Sequence, residues 1–98
     1  MKKSIVSKEY GLFLAFLKQV RAESKLTQVQ LARKLKTRQS AISKIEAGER
    51  RIDVVELRQW ARALGMSLTD FVVGLEIYLK KNRRETLEIG VAEKKSDE

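Results

Sequence analysis

The sequence predicts an all-α fold, a compact five-helix bundle with a short C-terminal extension. Three observations predict it. Apolar residues recur at helical spacing along almost the whole chain. Thr27 and Asp53 each stand three residues before a partner, Gln30 and Glu56, that can complete a reciprocal cap on a helix start. Gly48 and Gly65 stand where two of the runs stop, as left-handed helix ends require. With 98 residues and 43% apolar content, the chain forms one domain with a single small core.

The first helix carries Tyr10, Phe13, Leu14, Leu17 and Val20 at i, i+3, i+4 spacing, which makes one buried stripe. Leu12 and Phe16 fall off that stripe, so the C-terminal part of the chain or a second subunit should cover them. The second helix follows the Thr27 cap, with Val29, Leu31, Ala32 and Leu35 as its apolar positions and Ala32 small enough for a close crossing. Thr37 is expected to cap the third helix, running from Arg38 to about Ala47, with Ala41, Ile42 and Ile45 inward. The fourth helix starts at Asp53 and carries Val55, Leu57, Trp60, Ala61 and Leu64, with Trp60 expected in the core. Ser67 caps the fifth, with Leu68, Phe71, Val72, Leu75 and Leu79 as its apolar side. Beyond Lys80, Leu87, Ile89 and Val91 alternate with polar residues or glycine at the period of a strand; coil or helix extension is the expected state.

Composition narrows the chemistry. The chain has no cysteine and no histidine, so disulfides, thiolate metal sites and the commonest general base are excluded. No cofactor or small-molecule ligand is expected. No apolar run is long enough for a signal peptide or a membrane span, which points to a soluble protein of a reducing cytoplasm. The net charge of +8, with a pI near 10.0, favours a polyanionic partner. Between Gln28 and Arg51 seven basic residues face two acidic ones, so most of the excess, +5, lies in that window.

Leu26-Thr27-Gln28, Leu31-Ala32, Ile42-Ser43, Ile45-Glu46 and Gly48, followed by Leu57, Ala61, Leu64-Gly65 and Leu68, resemble the helix-turn-helix domain of the phage-repressor family (Cro/CI, or Xre-like). The resemblance covers about residues 10 to 75 and rests on many spaced positions. It implies a lambda-repressor-like bundle, with a domain over residues 10–79, an N-terminal arm over 1–9 and a charged tail over 80–98 that is partly disordered or dimer-forming. It also implies a prokaryotic or phage protein that binds double-stranded DNA as a homodimer.

A helix fits the major groove, where each base pair shows its own donor and acceptor pattern. The exposed side chains near the start of the third helix are Arg38, Gln39, Ser40, Ser43 and Lys44, and these are the candidate base readers. Gln39 can pair in bidentate fashion with adenine, and Arg38 or Lys44 can donate to guanine. By resemblance, Gln39, Ser40 and Lys44 face the bases and Gln28 contacts a phosphate at the amide-rich start of its helix. Lys36, Thr37, Arg50 and Arg51 are the further phosphate candidates, supplying affinity and not sequence choice. Arg33 and Lys34 read as a solvated face. The resemblance also sets Arg21 opposite Glu46, as an ion pair joining helices one and three. The family usually has glycine in the turn where this chain has Lys36.

A sequence-specific transcriptional regulator, most simply a repressor, is therefore the expected function, and an enzyme is not. The alternative is an antitoxin that represses its own operon and holds a cognate toxin protein. The apolar material for a dimer seam is Trp60, Val73, Ile77, Leu87 and Ile89.

Overall fold

In the computed structural model, which describes residues Ser4–Leu87, the chain forms α1 (Ser4–Glu23), α2 (Gln28–Leu35), α3 (Gln39–Glu46), α4 (Val54–Ala63) and α5 (Leu68–Leu87). The starts of α2 and α4 are complete capping boxes. Thr27 accepts from the Gln30 amide while Gln30 accepts from the Thr27 amide, and Asp53 and Glu56 do the same. Ser67 Oγ accepts from the Asp70 amide at 3.0 Å and starts α5. Each reciprocal cap satisfies two amides that the helix itself leaves unpaired.

The four helix ends share one geometry. After α1, α2, α3 and α4 a residue enters the left-handed region: Lys25 (φ 62), Lys36 (φ 57), Gly48 (φ 81) and Gly65 (φ 88). In each case the next amide reaches back to a carbonyl five residues earlier, as in Leu26 to Arg21, Thr37 to Ala32, Glu49 to Lys44 and Met66 to Ala61. Glycine takes this conformation at no steric cost, whereas the Cβ of a lysine crowds the following carbonyl oxygen. Lys36→Gly is therefore expected to stabilise the domain by about 1 kcal/mol and raise its Tm by roughly 4–8 °C. A thermal melt that moved downward would contradict strain at that position.

α3 starts later than expected. The Thr37 amide donates to the Ala32 carbonyl and closes α2, and Thr37 is not the N-cap of α3. Arg38, in extended conformation, is the N-cap and gives no side-chain cap, and the helix spans Gln39–Glu46 in place of 38–47. Two further boundaries move. Residues 4–9 are helical and continue α1, and residues 80–87 continue α5. Of the alternating stretch at the C-terminus, Leu87 is helical, and Ile89 and Val91 lie outside the described residues.

Leu17, Leu31, Ile42 and Phe71 are fully buried, and Val20, Ala32, Ile45, Trp60, Ala61 and Leu64 complete the core with Phe16. Phe16 is covered by α5: its ring lies 5.1 Å from Phe71 and 5.2 Å from Tyr78. Gly74 permits this approach, since a Cβ there would come within 3.0 Å of the Phe16 ring. Trp60 is in the core and unavailable to a dimer seam. Val29, Val55 and Val72, expected inward, are exposed by 49%, 64% and 40%. Val72 follows buried Phe71, and Val29 and Val55 lie two positions before Leu31 and Leu57, which pack in the core, so a turn of about 100° per residue carries all three side chains off the packed stripe. α2 packs on α3, and this pair is held between α1 and α4, while α5 closes the bundle against α1 and α4.

Candidate nucleic-acid interface

The α2–α3 pair is bolted down by Leu31, Ala32, Ile42 and Ile45, all buried, which leaves the opposite edge of α3 in solvent. On that edge Arg38, Gln39, Ser40 and Lys44 are exposed and Ser43 is half-buried. Lys36 and Thr37, in the turn that leads into it, are exposed as well. Arg33 and Lys34 are also exposed, one turn back on α2.

Behind this edge stands Glu46, a carboxylate only 3% exposed at the end of α3. Arg21 holds it through two parallel bonds, Nε to Oε2 at 2.7 Å and Nη2 to Oε1 at 3.0 Å. The third guanidinium nitrogen, Nη1, donates to the Leu26 carbonyl at 2.9 Å and ties down the α1–α2 connection. A fork-on-fork arrangement is the strongest form of such a pair and fixes orientation as well as distance. The pair cancels one negative charge behind the exposed edge of α3.

Gln28 does not stand free at the start of α2. Its Nε2 donates to Glu46 Oε1 at 2.9 Å, and its Oε1 accepts from Gln39 Nε2 at 2.7 Å. Arg21, Glu46, Gln28 and Gln39 thus form one continuous hydrogen-bonded chain from helix one to the tip of α3. The signal for it in the sequence is slight. Residues 28, 39 and 46 are polar, but their separations of 11 and 18 positions acquire meaning only once α2 crosses α3.

Arg50 and Arg51 are exposed and both have protein partners. Arg50 Nη2 donates to Glu56 Oε2 at 2.6 Å, and this bond raises the guanidinium pKa above its ordinary value. Exposed pairs of this kind are weak, because water screens both charges. The Arg51 guanidinium lies over the Tyr10 ring, 4.1 Å from its centroid, which the sequence did not reveal.

A helix-turn-helix family model matches residues 17–71, more than half of the chain. The chain belongs to the Xre-like helix-turn-helix family. Among solved structures, an XRE-family like protein from Pseudomonas syringae pv. tomato str. DC3000 is 35% identical, with a TM-score of 0.70. That match covers 76% of this chain and 92% of the other. No curated protein sequence matches. Members of the Xre-like family are DNA-binding transcription regulators and not enzymes, and this chain is one of them. Among the described residues no helix is long and apolar enough to cross a membrane.

Proposed function

We propose that this protein is a sequence-specific repressor that works as a homodimer in the cytoplasm and reads the major groove with α3. The observation that carries the reading is the exposed edge formed by Arg38, Gln39, Ser40 and Lys44, on a helix whose other side is buried. Gln39 and Lys44 offer the donors and acceptors that base edges recognise, and Ser40 and Ser43 let the helix approach closely. The start of α2, with Gln28 and its first amides, together with Lys36, Thr37, Arg50 and Arg51, would meet phosphates on either side. Nothing among the described residues favours the antitoxin alternative.

A second copy is the expected cover for the apolar surface of α4 and α5. Val54, Val55, Val73 and Ile77 are all more than half exposed. Beside them a groove of about 420 Å³ is lined by Phe13, Ile52, Leu57 and Leu75. Val73 and Ile77 lie one helical turn apart on the same side of α5. The Val73→Glu Ile77→Glu double variant is expected to sediment as a monomer and to lose about a hundredfold in affinity for a two-half-site duplex, because the second half-site no longer binds intramolecularly. An unchanged sedimentation coefficient would place the seam elsewhere.

Selection from random duplex DNA tests the whole reading. A palindromic consensus with half-sites roughly 34–36 Å apart is expected. Binding that weakens with salt but retains no sequence would be non-specific and would overturn it.

A further inference from the structure

The hydrogen-bonded chain behind α3 has a direction. The Glu46 carboxylate, whose two oxygens accept from Arg21, offers Gln28 only acceptors. Gln28 must therefore turn its NH2 toward Glu46, which leaves its Oε1 facing Gln39. Gln39 in turn must offer its NH2 to that oxygen. The amide of an exposed glutamine is otherwise free to rotate by half a turn, exchanging donor for acceptor. Here the choice is made by a carboxylate that Gln39 never touches.

We infer that Glu46 is a specificity-positioning residue: through Gln28 it sets which way round the Gln39 amide faces DNA. The inference rests on the proposed reading of the major groove by α3. One N–H and the Oε1 of Gln39 remain for a base, in a set order along the groove. Adenine presents its N7 acceptor and N6 donor in a set order too, so only one amide orientation matches without displacing α3. An amide reversed at this point offers donor to donor and acceptor to acceptor. Arg21 acts one step further back, by holding both Glu46 oxygens in place.

Two variants break the relay at different links. Glu46→Gln keeps the shape but replaces an obligate acceptor with a group that donates or accepts. Gln28→Met leaves the Arg21–Glu46 pair in place and removes the link to Gln39. Base preferences are read by selection from random duplexes, at a temperature where circular dichroism shows each variant folded. Both variants are expected to lose preference at one base position per half-site by about fivefold or more, while the other positions keep theirs. In a Gln39→Ala background neither variant should change the preference at that position. A loss spread evenly over all positions, or none at that position, would overturn the inference and leave Glu46 a purely structural residue.

The relay is also measurable without DNA, which separates its failure from failure of the regulator reading. In the free protein, the Gln39 side-chain NH2 resonances should shift on Glu46→Gln, although the two side chains are not in contact. Unmoved resonances would overturn the relay even if the wild type selects a clear consensus. A wild type that selects none would overturn the specificity role whatever the resonances do.

Discussion

Glu46→Ala is expected to lower the unfolding free energy by about 3–5 kcal/mol, since truncating one member of a buried pair strands the other. The Arg21 side chain is only 18% exposed, and after the change its one remaining partner would be the Leu26 carbonyl. Gln28 would lose its acceptor as well. A domain of this size has a total stability of roughly 5–15 kcal/mol, so the variant should melt tens of degrees lower or populate unfolded states at room temperature. Urea denaturation reads the difference directly. A loss below about 1 kcal/mol would mean the pair is worth no more than an exposed one.

Phe71→Ala should cost a similar amount, about 3–5 kcal/mol, for a different reason. Phe71 is fully buried. Its ring meets Phe16 at 5.1 Å and Phe13 edge-on at 6.3 Å, so it fills the seam that holds α5 on α1. Removing the ring leaves a cavity that three helices must close over. The DNA affinity of the folded fraction should not change, because Phe71 touches neither α3's exposed edge nor the chain from Arg21 to Gln39. Glu46→Ala, by contrast, should damage stability and base selection together. Parallel denaturation and binding measurements on the two variants would separate the frame from the reading surface.

The parts of this molecule legible in the sequence are those that depend on near neighbours. Thr27 with Gln30, Asp53 with Glu56, and Gly48 and Gly65 announce helix ends within four residues, and the structure has the ends there. The stripe through Leu17, Val20, Leu31, Ile42 and Phe71 is likewise a local periodicity, and it forms the core. Its edges were not legible: Val29, Val55 and Val72 are apolar, and only the packing of neighbouring helices leaves them in solvent. Lys36 in left-handed conformation was legible through the resemblance, which places a positive-φ glycine there, whereas Lys25 carries no compositional signal, since the hydrogen bonds of the helix end impose its conformation.

The candidate site divides in the same way. Arg38, Gln39, Ser40 and Lys44 could be read as one exposed edge because α3 is a continuous element. The Arg21–Glu46 pair came from family resemblance, since 25 residues separate its members. The role of Gln28 could not be foreseen in full. A phosphate contact is expected of it, and its side chain also joins Glu46 to Gln39. Arg51 stacked on Tyr10 belongs with these, a contact made across the bundle by a loop and the first helix.

The central claim is that the exposed edge of α3 is the surface that meets DNA bases. Titrating 15N-labelled protein with the duplex recovered by selection, and following backbone and side-chain amide resonances, tests it most directly. The largest changes are expected at residues 38–44, including the side-chain amide of Gln39, with a second set at the start of α2 and at Arg50 and Arg51. Changes centred on α1 or α5, with residues 38–44 unaffected, would contradict it.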